Sequence, residues 1–572
     1  MTDGRKRKGI LGRIGRSLHS VLPTGETAKP QAMEQTRAPD PETIPASKGV
    51  NELINEGLLQ RQRLGTAAAV PFFEQAAGLD PTSHLPFFML GNAATELNEL
   101  DRAVTYYKRA RDCAPNDHVI RYNLGLTQLW RGYINSAREE LEVACRLDPS
   151  YAPAQSALIM ALHNLDVVSP EQIIEAIRER AKRLSLQHPA TPRPLALERP
   201  HQGRLRVGFV SGDFRTHSVA QFFEPIVSAR NRQAFEYYLY SNSPRRDGVT
   251  HRLHAYADNW RDIWQMSDDA LINLIRTDNI NILVDLSGYT EFDRLSVFAR
   301  RAAPVQVTYL GFPNSTGLTT MDYRITDATT DPYPLADRWH NETLLRLPDS
   351  QWCFRPFGTP PVPGPLPASD VGFVTFGSFN NLTKASDTLL RCWIQILAKT
   401  PNARLRLTRV RSHQRANEIV AMFDAAGIAA ERIQCVRYET EVPYGAQFAG
   451  VDIALDHFPY NGVTTTCESL YCGVPVISLC GLNCVSRSGL SILSTVGLGE
   501  LVASTPEEYV GIAVGLATDS HRLEQLRAGL RARFERSALR NEARFAANFE
   551  QLLQAAWRDY LDSGRLREAP ER

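Results

Sequence analysis

Two periodicities divide the chain. Across residues 49–190 small and bulky apolar positions recur every 34 residues: Ala69, Ala103 and Ala137 keep step, as do Phe73, Tyr107 and Leu141, then Ala76, Ala110 and Ala144. Leu90-Gly91 returns as Leu124-Gly125, and Pro81, Pro115 and Pro149 close each unit. Small residues where two helices cross, a bulky residue four positions on and a proline after the second helix predict helix pairs, each burying its apolar face on the next. From Arg204 onward the pattern shortens. Apolar runs at Leu205 to Ser211, Tyr237 to Tyr240, Ile280 to Leu286, Val305 to Leu310 and Tyr323 to Thr326 read as buried strands, with helices through Phe222 and Ile226 and over Leu271 to Arg276. The Pro-rich stretch from Arg355 to Pro365 interrupts this series. A second one restarts at Val371, with strands near Arg404 to Leu407, Ile433 to Val436, Ile453 to Leu455 and Val476 to Leu479. Alternating strands and helices predict parallel sheets covered on both faces.

The repeat is the tetratricopeptide pattern, which stacks into a superhelix with a concave groove suited to an extended peptide. A dimerisation or spacer module is the alternative use. The fold class is therefore an α-helical tetratricopeptide repeat superhelix followed by two Rossmann-like α/β lobes around a cleft, the GT-B arrangement. The expected divisions are a disordered tail over 1–48, the repeats over 49–190, a first lobe over 191–360, and a second lobe with C-terminal helices over 361–572. The tail is rich in charge, Ser, Thr and Pro, and Ile10 to Leu18 within it reads as a short basic amphipathic turn.

Composition removes several classes. The 572 residues carry 64 Lys plus Arg against 63 Asp plus Glu, so bulk charge does not attract nucleic acid and any phosphate site must be local. No apolar run approaches a membrane span and no signal-peptide core follows Arg5-Lys6-Arg7-Lys8, which makes the cytoplasm the expected compartment. The nine cysteines form no CxxC pair, which suits reduced buried thiols better than zinc or disulfides.

Candidate chemistry concentrates in Asp456 to Ser478. A strand ends at an acidic residue, Pro459 and Asn461-Gly462 make a turn, and Thr464-Thr465-Thr466 open a short helix closed by Gly473. Unpaired N–H groups at a helix N-terminus hold a diphosphate without a metal. Glu468, one turn on, is placed to accept ribose hydroxyls. The plainer reading is a Thr N-cap and a solvated Glu. In the first lobe, loops at the strand C-termini carry His217, Tyr289, Gly311 and Pro313, where open α/β sheets bind ligands.

These residues resemble glycosyltransferase family 41, the O-linked N-acetylglucosamine transferases, and among them the bacterial members with short repeat arrays. The landmarks are Gly212-Asp213-Phe214 with His217, Ser287-Gly288-Tyr289-Thr290, Ala303-Pro304-Val305-Gln306 leading to Leu310-Gly311-Phe312-Pro313, Met321-Asp322-Tyr323, Ser378-Phe379-Asn380 with Lys384, and Asn461-Gly462 with Thr464-Thr465. The resemblance implies an inverting transfer of N-acetylglucosamine from UDP to Ser or Thr of proteins, with no cofactor and no metal. Lys384 is then assigned to the diphosphate and to catalysis, Thr464 and Thr465 to phosphate contacts, and Glu468 to the ribose. Asn380 and Asn381 line the nucleotide side, with Tyr289, Gly311 and Pro313 as further contacts to the nucleotide sugar. His217 faces the sugar and the acceptor hydroxyl as catalytic base, as a positioning group, or as a structural loop residue. Asp278 and Asp285 are secondary candidates for proton transfer. Expected partners are a UDP-sugar, a protein or peptide acceptor in the repeat groove, and a second copy in a homodimer.

The chain also departs from the pattern. Val463 stands where animal enzymes carry His, Asn281 stands at another family His, and the uridine-contacting Lys and His are not visible around Tyr438 to Tyr444. Two alternatives follow: a protein O-fucosyltransferase using GDP-fucose, and a non-catalytic peptide-binding scaffold that keeps a nucleotide-sugar fold.

Overall fold

The computed structural model describes residues 48–191, 203–360, 362–437 and 445–563. The tail with its basic turn and the Tyr438 to Tyr444 segment lie outside the described residues. Helices Val50–Leu64, Thr66–Leu79, His84–Glu96, Leu100–Cys113, His118–Arg131, Ile134–Leu147, Ala152–Leu162 and Pro170–Gln187 follow one another as antiparallel pairs. The 34-residue columns are their contacts. A Cβ on Gly57 would lie 2.6 Å from the Phe73 ring, one on Gly91 2.5 Å from Tyr107, and one on Gly125 2.7 Å from Leu141, so only glycine lets each bulky partner seat against the facing helix. Burying each of these large side chains contributes about 1.5–3 kcal/mol.

In the first lobe seven strands form an all-parallel sheet in the order β3-β2-β1-β4-β5-β6-β7. They are β1 Leu205–Ser211, β2 Phe235–Ser241, β3 Asn259–Asp262, β4 Ile282–Asp285, β5 Val305–Thr308, β6 Tyr323–Asp327 and β7 Thr343–Leu347. The second lobe repeats the plan in the order β10-β9-β8-β11-β12-β13, from β8 Thr375–Ser378, β9 Arg404–Val410, β10 Ile433–Arg437, β11 Ile453–Leu455, β12 Val476–Leu479 and β13 Val502–Ala503. In each sheet the order reverses between the first strand and its neighbour on the other side, β1 beside β4 and β8 beside β11. Loops leaving those C-terminal ends diverge and open a crevice.

The expected span of the second lobe needs one correction. Helix Glu542–Ser563 packs on the first lobe, with the Phe549 ring against Phe209 and Tyr309 and the Glu550 carboxylate accepting from the Asn231 amide at 2.9 Å. The Tyr323 hydroxyl adds a donor to Asp559. The helix therefore ties the lobes together.

The repeats touch both lobes. Helix Pro170–Gln187 lies on the first, where a Cβ at Gly317 would come 2.9 Å from Ile177 and the Trp339 indole donates to Glu171 at 2.9 Å. On the other side Arg131 donates to Asp101 and to Gln414, each at 2.7 Å, and the Ser412 hydroxyl donates to Asp101 at 2.6 Å.

Candidate active site

Every retained candidate sits at one of the two sheet reversals. In the second lobe β11 ends at Asp456, which is buried and acts as a hub. Its Oδ1 accepts from the Gly462 amide (2.7 Å), the His457 amide (2.8 Å) and Asn380 Nδ2 (3.0 Å), while Oδ2 accepts from Ser478 Oγ at 2.8 Å. Asn380, from the loop after β8, receives the Thr465 hydroxyl on its Oδ1 at 2.9 Å. The loops after β8 and β11 are thus locked to one carboxylate. Gly462 is forced by this closeness, since a Cβ there would lie 2.3 Å from Thr465 Oγ1 and 2.7 Å from Asn380 Nδ2. Burial pushes the Asp456 carboxyl up to about 6, so at neutral pH it remains the anion that these donors require.

Helix Thr464–Tyr471 starts from this turn with Val463 at its N-cap and no side-chain cap. None of the threonines caps it. Thr465 is committed to Asn380, Thr466 returns its hydroxyl to the Gly462 carbonyl at 3.0 Å, and Thr464 is half-buried. The first-turn N–H groups and the positive end of the helix dipole are left for a ligand. Glu468 is buried, so the solvated reading does not hold.

Lys384 stands beside this helix N-terminus. Asn381 Oδ1 accepts from the Thr383 amide and caps the short turn Leu382–Lys384, which brings the ammonium group over the Tyr460 ring at 3.7 Å and 3.3 Å from the Asn461 carbonyl, to which it donates. Asn381 therefore positions Lys384. Burial lowers the Lys384 pKa to about 8, against the pull of the Asp456 carboxylate, so the residue is a cation at neutral pH held with little solvent.

On the first-lobe side the loop after β1 carries Asp213, Arg215 and His217. His217 caps helix Ser218–Ser228, its Nδ1 accepting from the Val219 amide at 3.3 Å with Asp213 Oδ2 3.4 Å away. Burial holds the imidazole below its ordinary value despite Asp213, which favours the neutral ring with Nε2 left for a ligand. Glu291, in the loop after β4, is pushed up to about 7 by burial.

Other candidates have structural employment. Tyr289 is buried and donates its hydroxyl to the Thr316 carbonyl, which leaves it packing against Phe312 and offering no free hydroxyl. Gly311 allows two loops to meet, since a Cβ would fall 1.9 Å from the Leu286 carbonyl oxygen. Pro313 contributes its carbonyl to the Cys484 thiol of the second lobe. Asp285 accepts from the Ser287 and Gly288 amides and the Thr308 hydroxyl, and Asp278 pairs with Arg261 and Tyr240, so neither is free for proton transfer. Asn281 accepts from the Arg206 amide at 2.9 Å just before β4, at the end of the sheet remote from the crevice.

Reasoning from sequence passed over His163, at the C-terminus of helix Ala152–Leu162. Its Nδ1–H donates to the Ile159 carbonyl at 2.7 Å, and Nε2 accepts from Asn314 Nδ2 at 3.0 Å. The ring stands edge-on to Phe312 and 6.4 Å from Tyr460. Burial lowers its pKa to about 4 and keeps it neutral. Repeat, first lobe and second lobe meet at this residue, one step from Lys384. A polar His163-Asn164 pair where the 34-residue register ends was the available signal.

A model of Glycosyl transferase family 41 matches residues 173–353 and 366–549. A probable UDP-N-acetylglucosamine–peptide N-acetylglucosaminyltransferase SPINDLY of Solanum lycopersicum is 34% identical over 427 residues, 73% of this chain and 45% of that protein. Its namesake in Oryza sativa subsp. japonica is 34% identical over 431 residues, 74% of this chain and 46% of that one. The chain spans about half the length of these curated relatives. A solved structure of a Thermobaculum terrenum O-GlcNAc transferase mutant superposes with a TM-score of 0.82 at 34% identity, covering 90% of this chain and 98% of that one.

Proposed function

The chain belongs to glycosyltransferase family 41, and from that premise we propose that it transfers N-acetylglucosamine from UDP to Ser or Thr hydroxyls of proteins with inversion. The observation that carries this reading is the pairing of the Lys384 ammonium with an uncapped helix N-terminus at the second-lobe reversal. An inverting displacement develops charge on the departing diphosphate, and a fixed cation with oriented N–H groups stabilises it most where water is scarce. No metal is assigned a role, since Lys384 and the helix terminus neutralise the leaving group. Asn380 and Asp456 hold the turn in place, Glu468 accepts from the ribose, and His217, whose Nδ1 accepts from the Val219 amide so that Nε2 carries the ring proton, lies across the cleft to orient the sugar by donating to it. An acceptor peptide reaches this point along the repeat groove, which the Arg131–Gln414 and Ser412–Asp101 bonds fix against the second lobe.

Val463, at the N-cap of the helix that opens with the threonines, supports a second reading in which the nucleotide is GDP and the sugar fucose. Thermal denaturation with UDP and with GDP separates the two. A ligand at about 100 times its Kd adds roughly 2.7 kcal/mol to the folded state. Stabilisation by UDP alone supports the first reading, and by GDP alone the second. Incubation with UDP-GlcNAc and a lysate of the source cell, read as peptide mass shifts, tests transfer itself. A scaffold would give no shift with wild-type protein, whereas the enzyme gives shifts that Lys384→Ala removes.

A further inference from the structure

On the seam between the lobes Asp331, His340 and Cys484 converge. All three are buried, and one ligand-competent atom of each lies within 4.8 Å of the others. Asp331 and His340 come from the first lobe between β6 and β7, and Cys484 comes from the second lobe between β12 and helix Ser488–Thr495. The histidine is the telling member. Its Nδ1–H donates to the Ala336 carbonyl at 3.0 Å, which orients the ring and turns Nε2 toward Asp331 Oδ1, 3.8 Å away. Nε2 is buried with no hydrogen-bond partner. A carboxylate oxygen and an imidazole nitrogen therefore face each other across a gap longer than a hydrogen bond. Backbone anchoring of the remote ring nitrogen is the usual support of a metal-ligating histidine. Asp331 is anchored in the same way, its Oδ2 accepting from Thr326 Oγ1 at 2.6 Å.

We propose that Asp331, His340 and Cys484 form a divalent-metal site, best suited to Zn²⁺, that staples the first lobe to the second. A thiolate, an imidazole and a carboxylate are the ligands zinc takes in a tetrahedral shell, with bonds of about 2.0–2.3 Å, and three protein ligands leave one position for water. Hard cations such as Mg²⁺ and Ca²⁺ prefer oxygen shells, and the thiolate selects against them. Arg324 Nε stands 4.0 Å from Asp331 Oδ2, so thiolate, carboxylate and guanidinium together carry one negative charge for the dication. On binding, the S–H bond of Cys484 breaks, its proton leaves to the buffer, and the sulfur lone pair binds the metal in place of the contact to Pro313. The nearby lobe-to-lobe bonds, Ser491 to Asp327 at 2.8 Å and Arg487 to the Thr329 carbonyl at 2.9 Å, hold the same seam. Through Cys484, which bonds Pro313 and stands beside Tyr460, the site adjoins the candidate nucleotide pocket, and metal binding to it is measured without the donor or the reaction.

Co²⁺ is the probe. Reduced, metal-stripped full-length protein titrated with Co²⁺ should develop visible d–d bands and a near-ultraviolet thiolate-to-cobalt band saturating at one equivalent, and Zn²⁺ should erase both. Cys484→Ser should remove the near-ultraviolet band and weaken Zn²⁺ binding by more than the ~10–100-fold typical of losing an outer-shell partner. Cys480→Ser, four residues away, should leave the spectrum intact. The proposal is overturned if folded wild-type protein gives no thiolate band at one equivalent, which would leave a buried His340–Asp331 contact without a metal, or if Cys480→Ser abolishes the band while Cys484→Ser does not.

Discussion

Asp456 offers the sharpest test of how the nucleotide site is held. Three donors converge on its Oδ1 and one on Oδ2, and two of them, the Gly462 amide and Asn380 Nδ2, belong to the segments that present the helix N-terminus and Lys384. Asp456→Asn keeps the volume. With its amide oxygen in place of Oδ1 it still accepts three bonds, and Ser478 can rotate its hydroxyl to accept from the new NH₂. What is lost is charge assistance, about 1 kcal/mol per bond, partly offset because this buried carboxylate is poorly solvated. A net effect of about 1–2 kcal/mol follows, or roughly 5–30-fold in UDP affinity if it falls entirely on the turn. Asp456→Ala strands four buried donors at about 1–3 kcal/mol each, less whatever water regains, so a loss of at least ~100-fold in affinity is expected. Calorimetric titration of UDP into both variants measures this, with circular dichroism to establish that the lobes are folded. A folded Asp456→Ala protein that binds UDP as tightly as wild type would refute the hub and shift the organising role to Asn380 alone.

Lys384 carries a pH prediction. If, as proposed, the ammonium form binds the diphosphate, burial, which places its pKa in the free protein at about 8, should make kcat/KM fall as pH rises through that value rather than above 10. A bound diphosphate favours the cation, which moves the limb in kcat to higher pH; a kcat/KM profile flat to pH 10 contradicts the assignment. Gly311→Ala drives a methyl group into the Leu286 carbonyl, at a cost at or beyond the ~1–3 kcal/mol of ordinary overpacking, and should lower the melting temperature and soluble yield. Gly515→Ala in helix Pro506–Thr518, where a Cβ meets nothing within 4 Å, should be neutral or slightly stabilising in the same assay. Arg131→Ala breaks a charge-assisted bridge between the repeats and the second lobe, and hydrogen exchange should quicken in helices Leu100–Cys113 and His413–Ala425 while leaving Pro170–Gln187 unchanged.

Much of the architecture was legible from local pattern. The repeat columns survive as contacts because a helix pair has one register in which glycine meets an aromatic ring, as Gly91 does with Tyr107. Strands buried on both faces announce themselves as apolar runs, as β1 and β4 do. The edge strand Asn259–Asp262 is mostly polar and only half-buried, so nothing in its composition sets it apart. β13 is two residues long and gives no periodicity at all.

The sequence by itself determined which residue types stand at the strand ends: Lys384 after β8, the threonines after β11 and His217 after β1. Secondary structure is written in spacing, and an α/β sheet delivers its loops to one edge wherever the strands run parallel. Which side chains remain available to a ligand was decided only by tertiary contact. Tyr289 and Thr465 read as equal candidates in one dimension, yet each gives its hydroxyl to a partner distant in sequence, Tyr289 to Thr316 and Thr465 to Asn380. Long-range packing also brought His163 from the repeats to Tyr460, drew helix Glu542–Ser563 back onto the first lobe, and set Asp331, His340 and Cys484 within reach of one another. Spacing along a chain carries no information about such encounters. They exist because burial of the lobes and the repeats forces those surfaces together, and a buried polar group must then take whatever partner that packing provides.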